Sequence, residues 1–96
     1  MSFLLVSISG GESKTFDRNF TAGRGAELDI ADEYATPQHA RFTTDGSGWF
    51  VADLGSVNGT FVNGVKTWKA TASGTVPLRK GDQVRIGRTI LTVVPS

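Results

Sequence analysis

Along this chain apolar residues alternate with polar ones over short stretches, and glycine, proline or a polar turn closes each stretch before a helical stripe can develop. Beginning at Phe3-Leu4-Leu5-Val6, the pattern predicts strands near residues 3–8, 14–18, 20–23, 28–31, 39–44, 49–53, 60–62, 65–67, 75–78, 83–86 and 89–94. Between them stand Ser9-Gly10-Gly11, Asp45-Gly46-Ser47-Gly48, Asn58-Gly59, Asn63-Gly64 and Lys80-Gly81-Asp82, residues suited to tight turns. After the first nine residues, the longest stretches free of glycine and proline are 12–22 and 26–36, which excludes long helices. Valine, isoleucine and threonine supply 24 of 96 residues, and their branched side chains suit a pleated sheet. The expected class is all-β, and many short strands at such spacing imply a sandwich or barrel. Phe3, Leu5, Phe16, Phe20, Ile30, Phe42, Phe50, Phe61, Ile86, Leu91 and Val93 are the expected core. Side chains of this size stabilise by about 1.5–3 kcal/mol each when buried. Trp49 and Trp68 are expected to lie partly in the core and partly at its rim.

Composition narrows the picture. Ninety-six residues without a repeat or linker suit one domain spanning 1–96. Ten basic against nine acidic residues give a formal charge of +1, too balanced for a sequence-independent nucleic-acid binder or an anionic-membrane binder. No apolar run reaches the roughly 18 residues of a spanning helix. The N-terminal apolar run lacks the charged flank and cleavage site of a signal peptide, so a cytoplasmic protein is expected. With no cysteine and a single histidine, His39, disulfides, thiolate metal sites and two-histidine metal sites are excluded, and no cofactor is expected.

No enzymatic constellation assembles. His39 heads the apolar strand Gln38-His39-Ala40-Arg41-Phe42, away from any nucleophile elbow, and reads as a structural histidine. Gly23-Arg24-Gly25 begins like a dinucleotide fingerprint, but Leu28 occupies the third glycine position and no helix can follow. The group Asp29, Asp32 and Glu33 lacks the spacing of a calcium loop. What remains is carried by loops: Gly23-Arg24, Thr36-Pro37-Gln38-His39 and Gly55-Ser56-Val57-Asn58-Gly59-Thr60. An arginine, a hydroxyl and a carboxamide without a base form a donor set for an anion, and phosphate offers three acceptor oxygens and about −1.5 to −2 charges. On spacing alone, Arg24 could instead pair with Asp29, Asp32 or Glu33 at the surface, a contact contributing about 0–1 kcal/mol.

These blocks resemble the forkhead-associated (FHA) family, whose members read phosphothreonine. The resemblance rests on Gly23-Arg24, Asp29-Ile30, Thr36-Pro37-Gln38-His39-Ala40, Asp53 to Thr60 with Val62-Asn63-Gly64, and Lys80-Gly81-Asp82-Gln83-Val84-Arg85-Ile86-Gly87, in the family's order and spacing. It covers roughly residues 16–94 and implies an eleven-stranded sandwich with its binding loops at one end. It further implies that Arg24 grips the phosphate and that Gly23 lets the backbone turn. Thr36 would hold the phosphate through hydroxyl and N–H, and Asn58 would bond the peptide backbone. His39, Ser56 and Gly59 would support the loops. Pro37 and Val57 fall at further phosphate-contacting positions. With Gln38 they depart from the usual residues: proline lacks an N–H, and Val57 could contribute only through its main chain. The loops around Asp32-Glu33-Tyr34-Ala35 and Trp68 to Ser73 would set selectivity, Asp32 and Glu33 disfavouring acidic peptide residues. The implied partner is a threonine-phosphorylated protein or peptide, such as a serine/threonine kinase or its substrate. The three departures leave open an alternative, a phosphorylation-independent scaffold or oligomerisation domain on the same fold.

Overall fold

The computed structural model describes residues 2–96. Eleven strands follow in order: β1 (Leu4–Ile8), β2 (Ser13–Phe16), β3 (Phe20–Gly23), β4 (Leu28–Asp29), β5 (Ala40–Thr44), β6 (Trp49–Asp53), β7 (Thr60–Val62), β8 (Val65–Lys66), β9 (Thr75–Pro77), β10 (Asp82–Ile86) and β11 (Thr89–Pro95). One helical turn, α1 (Thr67–Ala70), lies between β8 and β9. The strands form two sheets, ordered β2-β1-β11-β10-β7-β8 and β4-β3-β5-β6-β9. Every ladder is antiparallel except the short β3–β4 pair, where Ala22 faces Leu28 and Gly23 faces Asp29.

The inner faces of the two sheets bury Leu4, Val6, Phe20, Ala22, Phe42, Val51, Val84, Ile86, Leu91 and Val93 completely. Phe20 stacks on Phe16 and Phe42 with ring centroids 3.7 and 4.7 Å apart. Such aromatic pairs contribute about 0.5–1.5 kcal/mol beyond their buried area.

Several expected core positions differ. Phe3 and Leu5 are 40% and 39% exposed, while Leu4 and Val6 face inward. An unbroken apolar run carries no alternation to set its phase, so the ladder decides it: Val6 pairs with Val93 and Ile8 with Leu91. Phe50 and Phe61 are half-buried because their neighbours Trp49, Val51, Thr60 and Val62 take the inward positions. Phe16 is likewise half-buried, packed on the core edge. Trp49 is fully buried with its indole Nε1 unpartnered, whereas Trp68 is 63% exposed on α1. Thr67, expected to end a strand, opens the helical turn, and Thr71 N–H donates to its carbonyl at 3.3 Å. β8 is a sheet edge whose ladder stops at Phe61–Lys66, so the backbone beyond it closes its own hydrogen bond.

Candidate functional site

The loops after β3, β4 and β6 meet at one end of the sandwich, and named contacts hold them there. The β4–β5 loop lies directly on β3. Thr36 carbonyl accepts from Arg24 N–H at 3.2 Å, and Ala22 carbonyl accepts from His39 N–H at 3.0 Å. This approach requires glycine at position 23, because a Cβ there would sit 2.3 Å from the Pro37 carbonyl oxygen and 2.6 Å from that of Thr36.

His39 is fully buried and links two loops. Its Nδ1 accepts from Thr36 N–H at 3.0 Å, so the ring proton resides on Nε2, which donates to the Gly59 carbonyl at 2.8 Å. Asp53, at the end of β6, organises the third loop. One carboxylate oxygen accepts the N–H groups of Gly55 and Ser56, both at 2.9 Å; the other accepts the Ser56 hydroxyl and, at 2.7 Å, the Thr60 hydroxyl. Ser56 Oγ in turn accepts Gly59 N–H at 2.9 Å. Partial burial pushes the Asp53 carboxyl upward, but the Ser56 and Thr60 hydroxyls with the Ser56 and Gly55 N–H groups outweigh it and hold it below the usual carboxylate value of 3.8. A depressed folded-state value means that the contribution to stability is present above pH 3.8 and disappears as pH falls through the lower folded value. Asp53→Asn presents an amide N–H to a ring of donors; it should lose about 1–3 kcal/mol at pH 7 and flatten the acid limb of the stability profile, measured by urea unfolding from pH 7 to 2. An acid limb as steep as that of the unmodified protein would contradict this role.

Across the loops, Val57 N–H donates to Thr36 Oγ1 at 3.1 Å, and Asn58 Nδ2 donates to the Tyr34 carbonyl at 2.9 Å. Arg24 spends only Nε, on the Ala35 carbonyl at 3.1 Å. Among the described residues no carboxylate forms an ion pair with it. Asp29 accepts Gly25 N–H at 2.7 Å, and Asp32 accepts Tyr34 N–H, Arg88 N–H and the Thr89 hydroxyl. The exposed guanidinium therefore keeps both Nη groups without a hydrogen-bond partner among the described residues. It lines a cavity of about 350 Å³ with Thr21, Gly25, Ala26, Glu27, Pro37 and Gln38.

A family model described as FHA domain matches residues 20–87. The chain belongs to the FHA family. It is 43% identical over 68 residues to the FHA domain-containing protein FhaB of Mycolicibacterium smegmatis, a match covering 71% of this chain and 41% of FhaB. The chain thus spans less than half the length of the curated relatives it matches. Among solved structures, one from a structural and functional analysis of phosphothreonine-dependent FHA domain interactions superposes with a TM-score of 0.80 at 26% identity, covering 97% of this chain and 94% of the other. The FHA domain of an Arabidopsis thaliana protein superposes with a TM-score of 0.79 at 28% identity, covering 97% and 83%.

Within this FHA domain, the loop contacts revise some expectations. Thr36 N–H is donated to His39 and Val57 N–H to the Thr36 hydroxyl oxygen, so neither main-chain donor is free for an anion. Val57 is 87% exposed, and its N–H bonds the Thr36 hydroxyl oxygen. Pro37 brings its carbonyl against Gly23, and Gly23 provides closeness between the two loops in addition to a backbone turn. Thr36 keeps its hydroxyl proton, Asn58 its carboxamide oxygen, and Gln38 lines the Arg24 cavity. The anchoring role of Asp53 was not assigned from the sequence, although Asp53-Leu54-Gly55-Ser56 has the form of a turn in which an aspartate accepts N–H groups two and three residues on. Asp32 accepts Tyr34 N–H two residues on, but its ties from the β4–β5 loop to the β10–β11 turn have no local signal, because those partners stand 56 and 57 residues away.

Proposed function

We propose that this domain is a non-catalytic module that binds a threonine-phosphorylated segment of a partner protein, such as a serine/threonine kinase or its substrate, in the cytoplasm. The carrying observation is the uncompensated Arg24 guanidinium on loops that also present the Thr36 hydroxyl and Asn58 carboxamide. Arg24 and Thr36 would donate to the phosphate, charge-assisted hydrogen bonds being worth about 1.5–3 kcal/mol each. Asn58 would accept from a peptide N–H through its free oxygen. Gln38 is a further donor within reach of the same cavity. His39, Ser56, Gly59 and Asp53 would position these groups without touching the ligand. The phosphothreonine-dependent interactions of the structurally similar FHA domain support the reading.

The deciding experiment is a calorimetric titration with one threonine peptide in phosphorylated and bare forms. The phosphorylated form should bind at least about 30-fold more tightly, the equivalent of about 2 kcal/mol. The advantage should shrink as salt rises and screens the exposed charges. Equal affinity for the two forms would overturn the proposal.

A further inference from the structure

The two sheets part along one side of the sandwich, where β8 ends the first sheet and β9 the second, and α1 packs against both. A cleft of about 440 Å³ opens there, lined by the apolar side chains of Val62, Val65, Ala70, Val76 and Pro77 and by Arg79. Val65 is 46% exposed, and Trp68 on α1 is 63% exposed. The cleft includes Asn63, which follows β7 at the end away from Gly59, so it is separate from the loops around Arg24. Its polar groups are paired, with one exception. The Asp82 carboxylate accepts Arg79 N–H at 2.8 Å and Asn63 Nδ2 at 3.0 Å, Asn63 Oδ1 accepts Gln83 N–H at 3.0 Å, and the Thr71 hydroxyl donates to the Thr75 carbonyl at 3.0 Å. The exception is the exposed Arg79 guanidinium, which among the described residues has neither a hydrogen-bond nor an ion-pair partner. Exposed Lys80 follows it, and Lys69 Nζ lies 5.2 Å from the Trp68 ring centroid. Charge along the chain is uneven in the same sense: residues 54–96 carry six basic side chains and a single acid, Asp82, whereas residues 1–53 carry eight acids and four basic side chains.

An apolar recess beside an exposed tryptophan is unfavourable in water, and tryptophan and arginine are the residues on which binding energy concentrates at protein interfaces. With Asp82 committed to Arg79 N–H and Asn63, the charges left around the recess are positive and complement carboxylates. Strand addition does not suit this edge: β8 has two residues, and β9 has three and ends in Pro77, which has no N–H to donate. The same feature disfavours edge pairing with a second copy of the chain. A bilayer calls for apolar side chains that protrude, whereas Val62 and Val76 are buried. We infer that the cleft docks an unphosphorylated acidic segment of a partner protein, seating one large apolar side chain between α1 and β9 and placing flanking aspartate or glutamate side chains on Arg79, Lys80 and Lys69. The contact requires no phosphate and is independent of the phosphothreonine reading.

The test uses short unphosphorylated peptides in which a central leucine or phenylalanine is flanked on both sides by glutamate, glutamine or lysine, with binding read from the amide resonances of Val65, Thr71 and Val76 in an NMR titration. Glutamate-flanked peptides should bind about tenfold more tightly than glutamine-flanked ones, the combined effect of a few exposed ion pairs, and lysine-flanked ones should not bind. Alanine at the centre should remove most of the affinity. Arg79→Glu with Lys80→Glu should abolish the glutamate advantage while leaving a phosphothreonine peptide within about twofold of its original affinity, and Arg24→Ala should leave the glutamate-flanked peptides unaffected. Should the Glu pair lower the thermal midpoint, Arg79→Gln with Lys80→Gln must still cut the advantage at least about threefold. The inference is overturned if no glutamate-flanked peptide moves those resonances, if glutamine flanks serve as well, or if phosphatidylserine vesicles move them and the peptides do not. Self-association in light scattering that Trp68→Ala abolishes would assign the cleft to a second copy instead. None of these outcomes bears on phosphothreonine binding, which the paired peptide titration decides.

Discussion

Arg24→Ala is expected to weaken phosphothreonine-peptide binding by at least about 30-fold and up to a few thousand-fold, since removing one partner of a desolvated, hydrogen-bonded charge pair costs about 2–5 kcal/mol. The domain itself should be little affected. The side chain is exposed and, among the described residues, its only hydrogen bond is Nε to the Ala35 carbonyl, worth about 0.5–1.5 kcal/mol. Arg24→Lys should recover part of the affinity only, because an ammonium cannot reproduce the planar fork and loses the bond to Ala35. Calorimetry on the two variants, with thermal unfolding as the control, separates binding from stability. An Arg24→Ala domain that retains the phosphate-dependent part of its affinity would displace Arg24 from the centre of the site.

Gly23→Ala should have the largest effect on stability. A single added methyl group would lie 2.3 and 2.6 Å from two backbone carbonyl oxygens, and backbone cannot swing aside as a flexible side chain can. The β4–β5 loop must move away from β3, at a cost of about 2–4 kcal/mol. For a domain of this size that lowers the thermal midpoint by on the order of 10–25 °C. The shift also breaks the contact between Arg24 N–H and the Thr36 carbonyl, so phosphopeptide binding should fall further than the population of unfolded chain explains. Gly25→Ala is the comparison: nothing lies within 4 Å of its Cβ position, and only its φ of +76° is unfavourable, about 1–2 kcal/mol. Equal midpoints for the two variants would mean that the loop is not held against β3.

Together the two substitutions should divide the site into a group open to solvent and the scaffold beneath it. Arg24 should be dispensable for the fold, because its Nη groups are exposed to solvent. Gly23, His39 and Asp53 lie under the loops, where every polar atom named above has a protein partner and a lost partner would not readily be replaced by solvent. Val57, 87% exposed, ties the third loop to Thr36 through its main-chain N–H.

Alternation, turn residues and branched side chains were enough to place all eleven strands within a few residues, because period-two patterning and turn chemistry are local properties written into neighbouring positions. The residues of the three converging loops could be picked out for a similar reason: a donor set without a base has few uses. Three things were decided by tertiary contacts alone. The phase of Phe3-Leu4-Leu5-Val6 came from pairing with β11, since an apolar run offers both faces to the core. The freedom of Arg24 depended on what occupied Asp29 and Asp32, whose hydrogen-bond partners include residues up to 57 positions away. The seating of Arg85 over the Phe61 ring and of Arg88 over the Tyr34 ring required these residues to arrive from three separate parts of the chain. Sequence by itself determined which elements form and which side chains are available. Only folding determined which donors remain unspent, because a hydrogen-bonding group is satisfied by whatever the chain brings within about 3 Å of it, however distant in sequence.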